Sequence, residues 1–347
     1  MGIVTKFNPL GALPKNNNYK AYLLFGTNLI NVRTLGFTED IQPEFCFSSS
    51  DDSIQCNYAI LNGKLFFVNG QNLSQVGTYT DWTAISGYSD GNDVYALGIR
   101  NGLLYKIMST TATMHSPYPG WTKICGNASP RTYGLGICNS VAYAISSNAI
   151  VQPIDGSNNP LSNCTNITGR IMYNSSRYGG YGISNGKLYY FQKRSSDNAD
   201  TDIRIYIIDN NFYYKICGFA YGSSFMSAYA LGIDTNFSLF NIGLGSASQI
   251  GTNTNWTNIS GYNFTYSSPA ALGINNGNLY IIQNSNVTQV GTDTDWTNIS
   301  GNSLAIKNNE DLYLISSNNS FSLLIKKCIK FMGNTLNSSF PALIITG

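Results

Sequence analysis

Helical periodicity is missing from this chain, and so is most of what catalysis requires. In 347 residues there is one histidine, His115, and there are three glutamates, Glu39, Glu44 and Glu310. A lone histidine with no convergent partner makes neither a metal site nor a triad, so His115 is expected to be a solvated loop residue before SPYPG. No glutamate recurs with an aspartate at matching positions of a repeat, so the paired carboxylates of glycoside hydrolysis are not evident. Charged side chains are scarce too, at 11% with a net charge of +2, which excludes nucleic acid as the main partner because phosphate binding needs clustered Lys and Arg. No CxxC occurs among the seven cysteines, which argues against zinc, and buried free thiols are expected. The aspartates of SSDNADTDI, Asp197, Asp200 and Asp202, lack the glycine and terminal glutamate of a calcium loop and read as an acidic turn. No run of eighteen apolar residues appears, and the first residues, MGIVTKFNPLGALP, lack an apolar core of signal-peptide length. These absences lead to the expectation of a non-enzymatic protein with no cofactor or metal, no membrane insertion and no signal peptide.

What the chain does have is repetition. GTDTDWTNISG, Gly291 to Gly301, nearly duplicates GTNTNWTNISG, Gly251 to Gly261. The core of this motif returns as WTAISG at Trp82 and WTKICG at Trp121, and in weaker form as EFCFS at Glu44, NITG at Asn166, YKICG at Tyr214 and CIKFMG at Cys328. Each copy precedes two short apolar runs, as in YALGIRNGLLYKI from Tyr95 and AALGINNGNLYII from Ala270, with Asn-Gly between them at 62–63, 101–102, 185–186 and 276–277. Asn-Gly flanked by strand-like runs is a strong hairpin signal, because a type I′ turn needs positive φ at both central residues. A more polar fourth strand follows, such as NLSQVG or VTQVG. Four short strands in about forty residues predict an all-β fold, a β-propeller of four-stranded blades. Eight blades are counted, with seven as the alternative, and the small LGI strand is expected inside with the polar fourth strand outside.

The two ends complete each other. IKFMGNTLNSSFPALIITG supplies first and second strands and stops, while KAYLLFGTNLINVRT, from Lys20, supplies third and fourth strands. The last blade is therefore expected to close with strands from both termini, giving a single propeller over 20–347. Residues 1–19 are expected to form an extended anchoring peg through Phe7, Pro9 and Leu10, since proline fixes φ and disfavours helix.

The run QVGTDTDWTNISG followed by ALGINNGNLYII resembles the regulator of chromosome condensation repeat, particularly its bacterial forms, and is also similar to tectonin-type repeats. The resemblance implies a propeller platform whose known members bind proteins, chromatin or an enzyme to be inhibited, or, for tectonins, sugars. The histidine and W-G pair usual in the first family are absent here, so its exchange-factor role is not implied. The four tryptophans, Trp82, Trp121, Trp256 and Trp296, have two readings: they fill the wedge between neighbouring blades, or they floor equivalent sugar pockets. The leading expectation is a structural or interaction protein presenting loops to proteins of a larger assembly or to surface glycans. Its setting would be a virion, such as a phage tail, or an extracellular surface, with cytoplasmic residence kept open. A lectin with blade-equivalent sugar sites is the alternative.

Overall fold

The computed structural model describes residues 20–25, 28–35, 37, 57–69, 72–87, 89, 93–130, 132–155, 157–172, 178–193, 203–218, 220–221, 230–243, 245–261, 271–283, 285–301, 303–316, 319–332 and 342–346. The peg with Phe7, Pro9 and Leu10, the motif copy at Glu44 to Ser48 and the Asp197–Asp202 turn lie outside the described residues. Among those described, strands dominate and the one helical element is a 3-10 turn, Val32–Leu35.

The strands form eight antiparallel blades. Seven have four strands in the order a-b-c-d; the remaining one, blade 2, made of Tyr58–Leu61, Lys64–Asn69 and Asn72–Gln75, has three among the described residues. Blade 1 is the expected closure: Cys328–Met332 pairs with Ala342–Thr346, which pairs with Lys20–Phe25, which pairs with Asn28–Asn31. Blades 2 to 8 follow in chain order. One fifteen-residue strand, Ile203–Cys217, serves two blades, pairing first as the outer strand of blade 5 and then as the inner strand of blade 6. The hairpin signal holds in backbone geometry: both turn residues have positive φ at Asn62-Gly63, Asn101-Gly102, Asn185-Gly186 and Asn276-Gly277, and also at Asn139-Ser140.

Burial is graded across each blade. Strand b is closed on both faces, as in Ala230–Asp234 and Ala271–Asn275, so it carries continuous apolar sequence rather than alternation. Strand c alternates, and strand d, such as Asn286–Gln289, is largely exposed. The apolar cores lie between blades: Cys217, Leu231 and Ile233 of blade 6 interleave with Trp256, Ile259 and Ile282 of blade 7, and the same arrangement recurs around the ring. One expectation is corrected here. The LGI strand is second from the axis, because strand a forms the free edge of each sheet and successive a strands pack against one another around the centre.

Candidate functional site

The repeated motif builds the inner ring of the propeller residue by residue. At its first position the backbone N–H donates to the carbonyl of the positive-φ turn residue of the preceding blade. This bond recurs at Trp82, Trp121, Cys164, Tyr213, Trp256, Trp296 and Cys328, accepted by Gly63, Gly102, Ser140, Gly186, Phe237, Gly277 and Glu310, over 2.7–3.0 Å. Because a main-chain group makes it, Cys and Tyr serve as well as Trp. That is why the true weak copies begin at Cys164 and Tyr213, one or two residues before the sequence pattern suggests.

The second position is a β-bulge in all seven described a strands, where two residues oppose one on strand b. Threonine suits it, since its hydroxyl donates to a carbonyl of the facing b strand: Thr83 to Ile99, Thr122 to Ile137, Thr165 to Ile183, Thr257 to Ile274 and Thr297 to Ile306, at 3.2–3.4 Å. The fifth position donates to the next blade's final glycine carbonyl: Ser86 to Gly126 at 3.0 Å, Thr168 to Gly218 at 2.8 Å, and the Cys125 thiol to Gly169 at 3.3 Å. Cys125 is therefore a substitute hydroxyl. It is buried, like Cys138, Cys164, Cys217 and Cys328, while Cys46 and Cys56 lie outside the described residues.

The four tryptophans sit where the first position meets strand b. Each is between 1% and 4% exposed, so none offers an indole face to a sugar ring, which corrects the ligand-facing reading of Trp82, Trp121, Trp256 and Trp296. Their rings lie over a glycine of strand b: a Cβ at Gly98, Gly136 or Gly273 would stand 2.6–2.7 Å from Cζ3 of Trp82, Trp121 or Trp256. Beyond the glycine each indole meets a tyrosine of strand c, Tyr105, Tyr143 or Tyr280, with ring centroids 5.1–5.3 Å apart. The Trp, the Gly of ALGI and the Tyr of LY are thus one row across a blade, a dependence between distant motif letters that the linear pattern does not show. In blade 8 the glycine is replaced by Ala305, and Trp296 packs on both Tyr313 and Phe321 at 5.3 Å.

Two solvent-accessible features remain. The first is the third motif position on the inner strands, half-buried or exposed at Ala84, Lys123, Asn166, Lys215, Asn258 and Asn298. The second lies on the face carrying the b–c turns, at blades 5 and 6. There Phe212, Tyr214 and Phe237 are 42–50% exposed, Tyr214 and Phe237 meet edge to face at 5.7 Å, and the Lys187 ammonium lies 3.9 Å from the Phe212 ring centroid. Sequence reasoning passed over this cluster because its members come from a strand junction and a turn, outside the repeated letters. The phenol of Tyr214 donates to the Trp256 carbonyl, and burial pushes its pKa up to about 12.

His115 is placed differently from expectation. It lies on Thr111–Ser116, the outer strand of blade 3, packed against blade 4 rather than in a loop. Burial first, and then the charge of Lys106, push its pKa down to about 4, so the imidazole is neutral at physiological pH.

Comparison with known proteins places the fold. The apo structure of AztD from Citrobacter koseri matches with a TM-score of 0.55 at 11% identity, covering 95% of this chain and 98% of that one. The C-terminal WD40 domain of Sif2 matches with a TM-score of 0.50 at 9% identity, covering 87% and 95%. The chain is a β-propeller. No protein-family model and no curated protein sequence matches it. At these identities the likeness extends to architecture alone, since one propeller serves many functions.

Proposed function

We propose that this protein is a non-enzymatic interaction scaffold, a rigid ring that docks a protein partner on the face carrying its b–c turns. The carrying observation is the exposed cluster of Phe212, Tyr214 and Phe237 beside Lys187. Aromatic side chains half in solvent, rimmed by a cation and by polar groups such as Asp209 and Asn211, have the composition of an interface core and its polar rim. The partner that fits is a protein surface with an apolar anchor and a carboxylate near it to meet Lys187. The repeat is of the regulator of chromosome condensation type in this reading, supported by the W-T-x-I-S-G motif and its ALGI companion. The setting is an assembled particle or outer surface, a phage virion or tail among them, supported by a composition rich in Asn, Ser, Thr and Tyr and poor in charge.

Photo-crosslinking tests this directly. A benzophenone amino acid at position 237, in the cells that make the protein, is expected to yield one discrete protein adduct, reduced at least fivefold by Phe212→Ser. The same probe at position 110, on the opposite face, is expected to yield none. Equal labelling from both faces, or no adduct at 237, would overturn the reading.

A further inference from the structure

The outer strand of a propeller blade is a sheet edge, and its outward N–H and C=O groups are open to any extended chain that reaches them. In blades 2, 3, 6 and 7 that edge is short and mainly polar, as in Asn72–Gln75 and Asn286–Gln289. Blade 5 is different. Its outer strand, residues 203–208 of the long strand Ile203–Cys217, reads IRIYII, without lysine or proline, and its register with strand c is unbroken from Ile203 to Ile207. Tyr206 and Ile207 are 47% and 51% exposed. Successive side chains point to opposite faces of a sheet, so at this point the strand stands clear of its neighbours on both faces.

The chain itself shows what this edge accepts. Ile154, in the connection out of blade 4, lies parallel to it: the Ile154 N–H donates to the Ile203 carbonyl at 3.0 Å, and the Ile205 N–H donates to the Ile154 carbonyl at 3.1 Å. Backbone groups alternate sides along a strand, so the Ile207 N–H and C=O follow in the same outward row, beside the Ile205 carbonyl. No described residue bonds to those three groups. Ile154 covers only the first part of the edge because the chain turns back immediately after it. The Asp155 carboxylate accepts from the Ser157 and Asn159 N–H groups at 2.8 and 2.9 Å, the Asp155 N–H donates to the Asn159 carbonyl at 2.9 Å, and Arg204 Nη1 donates to Asn158 Oδ1 at 3.4 Å. A built turn thus marks where the cover stops.

We propose that the uncovered part of this edge, around Ile207, binds an extended segment of a partner protein by strand addition, in line with Ile154. The segment that fits carries uncharged β-branched residues, whose side chains pack beside Tyr206 and Ile207 while its backbone takes up the open groups. A second copy of this chain fits worse. Two such edges paired antiparallel about Ile207 would set residue 209 of one against residue 205 of the other, where Ile154 already lies. The site is on the outer rim of blade 5 and does not depend on the docking proposed for the aromatic cluster.

The full chain, isotopically labelled, is to be titrated with a capped pentapeptide of alternating threonine and valine, following the backbone amide signals of residues 205–209 by NMR. A saturable shift is expected at Ile207 and its neighbours. The same peptide N-methylated at every amide, which keeps the side chains and lacks the donors, is expected to bind at least tenfold more weakly. Ile207→Pro removes an outward N–H and leaves the ladder to strand c, and is expected to weaken binding at least fivefold, read at the Asp209 amide. No saturable shift, or equal affinity for the methylated peptide, would overturn the proposal. So would a dimer in sedimentation that Ile207→Pro dissolves, which would reassign the edge to a second copy. If circular dichroism shows that Ile207→Pro fails to fold, the methylated peptide decides.

Discussion

Replacing Gly273 by alanine tests the row that ties the repeated motif to the strand after it. The added Cβ would stand 2.7 Å from Trp256 Cζ3 and 2.8 Å from Ile282 Cδ1. Carbon atoms pack at about 3.5–4.0 Å, so the methyl overlaps the indole by roughly 1 Å. Overpacking of this kind costs about 1–3 kcal/mol, and the site is enclosed, with Gly273 between buried strands, so about 2 kcal/mol is expected. The assay is the midpoint of equilibrium denaturation, followed by tryptophan fluorescence. The sharper version is a double-mutant cycle with Trp256→Phe. That change alone removes a buried ring edge and costs on the order of 1–3 kcal/mol. Combined with Gly273→Ala, it vacates the space the new methyl needs, so the pair is expected to cost at least about 1 kcal/mol less than the sum of the singles. Additivity within about 0.5 kcal/mol, or an alanine variant as stable as the parent, would refute the claim that the glycine exists to seat the indole.

Two further expectations follow from the same geometry. Ser86→Ala deletes a buried donor to the Gly126 carbonyl and is expected to cost about 1–2 kcal/mol, whereas Ser86→Cys, which copies Cys125 at the equivalent position, is expected to cost less than half of that in the same denaturation assay. His115 has a folded pKa of about 4 against an ordinary 6.5, so the unfolded chain binds the proton more readily between those values. Stability is therefore expected to fall as pH drops from 6.5 towards 4, by up to about 3 kcal/mol, and then to level off for this group. His115→Gln is expected to flatten that part of the profile, and an unchanged slope would refute the assignment.

Much of the architecture is legible in the letters because repetition reports the same local physics eight times. Asn-Gly pairs announce hairpins through positive φ, and the complementary ends announce closure, since a sheet edge left open at each terminus would strand its ladder hydrogen bonds. The weak copies mislead where main chain rather than side chain does the work. Cys164 and Tyr213 stand in the tryptophan position because the shared requirement is a backbone N–H, so a motif read by its tryptophan starts those copies at Asn166 and Tyr214. The long strand Ile203–Cys217 hides a blade boundary for a similar reason, as no turn residue interrupts it. His115 was misplaced because polar sequence around it suggests a loop, while the outer strand of blade 3 gains burial only from the neighbouring blade.

By itself the sequence determined the fold class, the four-strand unit and the pairing of the two termini, and it narrowed the number of blades to eight or seven. The four-strand unit follows from short-range rules of turn chemistry and strand periodicity that act within about forty residues, and the pairing of the ends follows from each end holding the half of that unit which the other lacks. Only the tertiary structure decided which faces are open. The tryptophans were equally suited to a sugar floor or a wedge until packing against Gly98, Gly136 and Gly273 closed over them.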